Sequence, residues 1–239
     1  MADLSFLNID QNIDDIRKII EAEENAKPPR KYIGASSIGD ECSRKIWYQY
    51  NGFVGLPIES KGLFAIEDGH RTEELIVSRF RKLPYIQLWT HKDDGTQYGF
   101  QWPELSGHYD GVIKGLRQAP ETAHIFEVKC VNEKKFNELK NLKQDFGERR
   151  ALRKWDKTYY AQACVYMYAE KLTRHYLVCA TPGGRDMISV RTEADDVYAK
   201  ALVDKARRIK EATEPPERIG GKDWWECRFC RFREVCHEA

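Results

Sequence analysis

The stretch GHYDGVIKGLRQAPETAHIFEVKCV, residues 107–131, contains two β-rich runs, Gly107 to Lys114 and Ile125 to Val131, parted by a polar segment with Gly and Pro. Side chains alternate across a strand, so Glu127 and Lys129 share one face while Val128 turns into the core. If the runs are hairpin neighbours, Asp110 comes beside Glu127. Two hard oxygen ligands for Mg²⁺ or Mn²⁺ then lie next to an ammonium, a layout suited to phosphodiester hydrolysis. The carboxylates hold a cation that lowers the pKa of water, and the cation and Lys129 offset charge growing on phosphate oxygens. Taken alone, the same D…E-x-K pattern also reads as a solvated charge pattern at a strand end.

Outward from this stretch, further elements follow from spacing. Upstream, residues 10 to 26 predict an amphipathic helix with Ile13, Ile16, Ile19 and Ile20 on one stripe, ahead of Pro28 and Pro29. Helices are expected from Ser43 to about Tyr50 and from about Gly69 to Lys82, the latter carrying Glu73, Glu74, Leu75, Ile76 and Phe80. Ile86 to His91 predicts another strand. Downstream, residues 132 to 171 turn helical, a charged portion ending near Lys157 and then YYAQACVYMYA. Strands are expected over His175 to Thr181 and Met187 to Thr192, then a charged helix from about Ala194 to Ala212. Paired prolines and glycines in residues 211–223 read as a linker to a cysteine-rich tail.

The 239 residues, 41% hydrophobic and 12% aromatic, suffice for one sizeable core. Lys and Arg number 39 against 38 Asp and Glu, so any contact with a polyanion must be local. No run approaches the roughly 18 apolar residues of a membrane span, and the acidic start lacks the plan of a signal peptide. A soluble protein of the cytoplasm is the expectation, whether bacterial, archaeal or phage-encoded in a host. In that reducing compartment seven cysteines favour metal ligation or burial over bridges. Cys227, Cys230 and Cys236 form C-x2-C-x5-C, compact enough for three thiolates to meet at one centre, with a fourth ligand still needed. Cys130, Cys164 and Cys179 lack partner spacing and read as small buried hydrophobes.

The chain resembles the PD-(D/E)xK superfamily, and more narrowly its RecB-like nucleases. The residues that carry the likeness are G-x-x-D at Gly107–Asp110, E-x-K at Glu127–Lys129, and Q-x-x-x-Y at Gln162 and Tyr166. The last pair, taken alone, fits an ordinary helix equally well. The resemblance implies an α/β fold: a restriction-endonuclease-like core whose central mixed β-sheet is flanked by helices, with a C-terminal cysteine-rich tail that binds a cluster. It divides the chain into an N-terminal helical extension (1–30), a nuclease core (31–213), and a linker and tail (214–239). It implies catalytic roles for Asp110, Glu127, Lys129, Gln162 and Tyr166. It also implies Mg²⁺ or Mn²⁺ on Glu73, Asp110, Glu127 and the Val128 carbonyl. Members supply a further ligand, His or Glu, four residues after a Gly. Glu73 stands there relative to Gly69, and His70 is a substitute out of position.

The likeness extends to AddB and the CRISPR-associated RecB-like exonucleases, which set one cysteine before the core and three after it around a 4Fe-4S cluster. Here Cys42, in CSRKIWY, joins Cys227, Cys230 and Cys236. A zinc knuckle completed by Cys42 or His237 is the alternative. Trp225, Arg228, Arg231 and Tyr159 are candidates to meet DNA, although the tail's aromatics and arginines also serve as a shield for the cluster. The lysines and arginines between Glu133 and Lys157 either flank a substrate channel or form a solvated face.

The function so implied is a metal-dependent DNA exonuclease acting on DNA ends or single strands, in recombination, repair, phage DNA processing or CRISPR adaptation. No G-x-x-x-x-G-K-[ST] loop occurs, so a helicase or recombination partner would be a separate protein. The other readings are a non-cleaving DNA-end binding module of the same fold and a zinc-bearing interaction protein.

Overall fold

The computed structural model describes residues 10–238. The sheet runs in the order β1 (Gln87–Trp89), β4 (Gly111–Lys114), β5 (His124–Cys130), β6 (Arg174–Ala180), β7 (Met187–Glu193). All neighbours are antiparallel except the parallel pair β5 and β6, so the sheet is mixed. A parallel pair needs a long crossover. Here it contains α4 (Glu133–Phe146), α5 (Glu148–Trp155) and α6 (Lys157–Glu170).

Both sheet faces are covered, which is why β5 and β6 are nearly continuous buried runs. Phe126 and Val128 on one face pack with Ile113, Tyr176 and Val178 against Ile76 and Val77 of α3 (Ser60–Phe80). Ile125 on the other face joins Leu177, Cys179 and Val190 in the larger core under α4, α5, α6 and α7 (Asp196–Glu211). Every residue of α6 from Tyr160 to Met167 is buried, so this helix runs through the interior.

Several boundaries differ from the sequence expectation for identifiable reasons. The strand expected over Gly107 to Lys114 is two strands. β3 (Ser106–His108) pairs with β2 (Gly99–Gln101), a short strand the spacing did not signal, and the chain changes sheets at Tyr109 and Asp110 before β4. The helix expected from Gly69 begins at Ser60 and absorbs Gly62 and Gly69, because a helix docked on a sheet outweighs the propensity cost of glycine. The charged helical run breaks at Gly147, whose φ of 76° ends α4, and again at Asp156, which caps α6. The N-terminal helix exists as α1 (Gln11–Asn25), but Ile13, Ile16 and Ile19 are half exposed and the stripe stays outside the core. The part of the 1–30 extension before Asp10 lies outside the described residues.

The tail is not a loose appendage. Phe232 is 3% exposed and packs in the main core against Tyr48, in α2 (Ser43–Tyr50), with ring centroids 5.7 Å apart. Trp47 Nε1 donates to the Ala212 carbonyl at 2.8 Å, and the Arg44 guanidinium donates to the carbonyls of Pro215 and Pro216. The Leu56 N–H donates to the Arg231 carbonyl at 2.7 Å. These contacts fix two short helices, α8 (Trp225–Arg228) and α9 (Arg233–His237), beside α2. Among the described residues no helix is long and apolar enough to cross a membrane.

Candidate active site

The β4–β5 register pairs Gly111 with Phe126, and continued by one residue it sets Asp110 across from Glu127. The hairpin neighbourhood expected from sequence is therefore present. Because the chain is changing sheets at Asp110, its side chain is free to turn along β5. Its Oδ2 accepts the Val128 backbone N–H at 2.7 Å. On β5, Lys129 Nζ donates to Glu127 Oε2 at 2.8 Å. Glu127 is only 2% exposed, and its other oxygen, Oε1, is buried without a hydrogen-bond partner. An orphaned buried carboxylate oxygen is costly unless something else satisfies it.

The electrostatics tie a third acid to this pair. Burial, then the charge of Asp110, push the Glu127 carboxyl up to about 8. Burial, then Asp110, likewise raise Glu73 to about 7. Burial raises Asp110 as well, against Lys129 and the Val128 N–H, which favour its ionised form. For Lys129, burial disfavours the charge, but Glu127 and then Asp110 outweigh it, and its pKa stands above the ordinary lysine value. Mutual repulsion of buried carboxylates is what a divalent cation relieves. Glu73, from α3, is thus part of the constellation. The exposed His70 is near enough for its charge to favour ionised Asp110, and it takes part at a distance. Among the described residues no three His, Cys, Asp or Glu side chains are drawn together into metal-ligand spacing. The acids are coupled by charge, and Lys129 is the cation on Glu127.

Gln162 and Tyr166 sit one turn apart on α6 and do meet: Gln162 Nε2 donates to Tyr166 Oη at 2.8 Å, and that hydroxyl donates to the His108 carbonyl at 2.6 Å. Tyr166, 1% exposed, thereby ties α6 to the residues just before Asp110. Gly107 allows this, since a Cβ there would lie 2.8 Å from Tyr166 Cε1 and 2.8 Å from Ala35 Cβ. The G-x-x-D glycine is a seat for the tyrosine ring. In this arrangement the pair supports the loop that aims Asp110.

The four cysteines share a cavity without being drawn into metal-ligand spacing among the described residues. Cys42, Cys227, Cys230 and Cys236 line one cavity of about 520 Å³, together with His237 and Trp225. None of them is in a disulfide. Cys42 caps α2, its Sγ accepting the Lys45 N–H at 3.4 Å, and burial, Asp40 and Cys230 favour its neutral thiol. Burial, then Cys236 and Cys230, do the same for Cys227. Cys164 and Cys179 are buried as expected, whereas Cys130, at the end of β5, is only half-buried.

The candidate DNA contacts divide. Trp225 is 61% exposed, and Arg228 is exposed with no ion pair among the described residues. Arg231 lies along Gly55 and the Phe232 ring, so it packs the tail as well. Tyr159 instead lies beside Lys129, whose Nζ is 5.2 Å from its ring centroid. Much of the basic run is engaged within the protein: Lys143 donates to the Ser189 carbonyl, Arg149 pairs with Glu193, and Lys154 sits over Phe146. Lys135 is the member of that run the sequence did not single out.

No family model and no curated protein matches this sequence. Among solved structures, the alkaline exonuclease LHK-Exo from Laribacter hongkongensis aligns over 81% of this chain and 90% of its own, at TM-score 0.50 and 13% identity. Its complex with dAMP aligns over 75% and 86%, again at TM-score 0.50 and 13% identity. The protein SSO0001 aligns over 94% and 96% at TM-score 0.49 and 15% identity. The likeness to LHK-Exo agrees with the sheet order and helical layers described above: this is a restriction-endonuclease-like α/β fold, with a mixed central sheet flanked by helices.

Proposed function

We propose that this protein is a metal-dependent DNA exonuclease of the RecB-like PD-(D/E)xK type. The observation that carries the proposal is the buried, unpartnered Oε1 of Glu127, set beside Lys129 and charge-coupled to Asp110 and Glu73. A purely structural ion pair has no need of two further acids whose charges raise the carboxyl of Glu127. Glu73, Asp110, Glu127 and the Val128 carbonyl are the residues that would hold Mg²⁺ or Mn²⁺. Bound there, the cation supplies Lewis acidity toward phosphate oxygens and the attacking water. The rest falls to the chain. Lys129 leaves Glu127 to meet the non-bridging phosphate oxygens, where its charge is needed as the transition state forms. Tyr166 and Gln162 hold the Asp110 loop in place. The hinge between β3 and β4 lets Asp110 serve both the Val128 N–H and the site. A fold shared with an alkaline exonuclease is consistent with DNA as substrate, either ends or single strands.

The second part of the proposal is a 4Fe-4S cluster on Cys42, Cys227, Cys230 and Cys236. It is supported by four unbridged thiols around one cavity that also joins the two ends of the chain. Such a cluster adds thiolate bonds to a tail that Trp47, Arg44 and Phe232 already seat. Zinc, the other metal that accepts this thiol set, gives no visible colour.

The test is cleavage of 5′- and 3′-labelled single-stranded and duplex DNA by anaerobically purified protein with Mg²⁺, Mn²⁺ or EDTA. Metal-dependent shortening that Lys129→Ala loses is the expected result. Absorbance near 400 nm decides between cluster and zinc. Intact wild type that binds DNA ends without shortening them would make the chain an end-binding module.

A further inference from the structure

One aromatic ring faces two ammonium groups. Lys129 Nζ is 5.2 Å and Lys135 Nζ 5.3 Å from the Tyr159 ring centroid, inside the range in which a ring's negative face attracts a cation. The three side chains come from three different elements, β5, α4 and α6, so their meeting is not a by-product of one helix or strand.

Each member is held independently. Tyr159 stands in the first turn of α6, where Asp156 Oδ1 accepts the Thr158 and Tyr159 N–H groups at 3.0 Å each. The other oxygen of Asp156 accepts Lys135 Nζ at 2.7 Å. The Lys135 backbone is fixed at both ends: its N–H donates to Asn132 Oδ1 at 2.9 Å, and its carbonyl accepts Trp155 Nε1 at 2.9 Å. The Trp155 ring also lies beneath Lys135 Nζ, at 5.4 Å. A series of alternating charge results: Asp156, Lys135, the Tyr159 face, Lys129, Glu127. Glu127 and Asp156 each hold one ammonium by charge, and the Tyr159 ring adds an attraction common to both.

We propose that Tyr159 is a positioning residue that pairs Lys129 and Lys135 into a two-cation clamp for successive phosphates of one nucleic-acid strand, Lys129 taking the phosphate to be cut and Lys135 its neighbour. The inference rests on the nuclease reading for the identity of the ligand, and not for the clamp itself. It assigns to Tyr159 a role through the lysines rather than direct stacking on a base.

The clamp is tested without activity by NMR of the full chain labelled with ¹³C at lysine Cε, the two signals being assigned through Lys129→Arg and Lys135→Arg. Ring-current upfield shifts at both lysines are expected, lost in Tyr159→Leu and kept in Tyr159→Phe. Unshifted signals in wild type overturn the clamp. In kinetics on single-stranded DNA, Tyr159→Leu should lower kcat about tenfold, which is about 1.4 kcal/mol, with Mg²⁺ binding by calorimetry unchanged and the melting temperature lowered only slightly. Tyr159→Phe should stay within about twofold of wild type, and Lys135→Gln should raise KM while sparing kcat. A Phe variant as poor as the Leu variant would assign the effect to the hydroxyl and overturn the proposal. Shifted lysines in a wild type that cleaves no DNA would refute the nuclease reading and the phosphate role, while leaving the ring's hold on the lysines standing.

Discussion

The carboxylate site and the cysteine site solve opposite problems of placement. Asp110, Glu127 and Lys129 stand on one antiparallel hairpin, where the register of two strands sets every distance. Cys42 and the tail cysteines come from opposite ends of the chain and meet only because Phe232 enters the core and Trp47 and Arg44 grip the linker. The first site concentrates charge in a place that resists it, with Glu127 buried and Oε1 unpaired. The second disperses its cost over many ordinary contacts. Where chemistry needs strained electrostatics the fold supplies a rigid hairpin, and where it needs only proximity a docked tail suffices.

The sharpest break of this comparison is Lys129→Ala. Activity should fall by at least about 100-fold, the scale for losing a preorganised charge at the phosphate. Stability at pH 6 should fall far less than activity, because Glu127 without its lysine remains largely protonated in the fold, although its Oε2 loses its partner. Parallel cleavage assays and thermal melts decide it; a large fall in melting temperature would mean the pair is structural. The reciprocal change, Cys42→Ser, should bleach the absorbance near 400 nm that the proposed cluster would give and lower the melting temperature, yet leave residual cleavage, since the cavity of the four cysteines is not lined by the carboxylates.

A pH series sharpens the contrast further. Glu127 and Glu73 carry folded-state pKa values of about 8 and about 7 against ordinary values of 4.5. These two carboxyls therefore bind more protons in the folded chain than in the unfolded chain between about pH 4.5 and 8, and their contribution to stability falls as pH rises through that window. In EDTA the melting temperature should decline from about pH 6.5 to pH 8, above the range in which the buried His175, pushed down to about 3, opposes the trend. Added Mg²⁺ should restore it, most at the alkaline end, where the carboxylates are ionised and repel. A melting temperature indifferent to Mg²⁺ at pH 8 would remove these acids as a cation site.

How much of this was legible follows the same division. Alternation on β5 placed Glu127 and Lys129 together and turned Val128 inward, because a two-residue period is a local property. Sequence missed the sheet change at Tyr109 and Asp110, since the pairing partner β2 is three residues long and carries no alternation to read. It misjudged the start of α3 because glycines that look like breaks are tolerated once Ile76 and Val77 are packed on the sheet. It set Cys42 beside the tail cysteines only through resemblance, and the structure puts them on one cavity without metal-ligand spacing. Trp47 donating to Ala212 is a contact between distant residues that no local pattern encodes. The role of Lys135 was hidden for a simpler reason: one lysine in a charged helix looks like the next until a ring and an aspartate are found beside it.

The smallest expected effect tests the dispersed site. Trp47→Phe keeps most of the ring packing against Tyr48 and Phe53 but deletes the donor to the Ala212 carbonyl. One neutral hydrogen bond contributes about 1 kcal/mol and the smaller ring leaves a cavity of similar cost, while Arg44 still holds Pro215 and Pro216, so stability should drop by about 2 kcal/mol. The informative readout is additivity. If linker and thiols hold the tail independently, the melting-temperature losses of Trp47→Phe and Cys42→Ser should sum in the double variant. If the tail docks as a single cooperative unit, the second change costs much less once the first has been made, because the contact it removes is already undone. A loss well beyond the sum would mean that each set of contacts substitutes for the other when one is removed, and the tail would then be redundantly anchored rather than held by separate, additive ties.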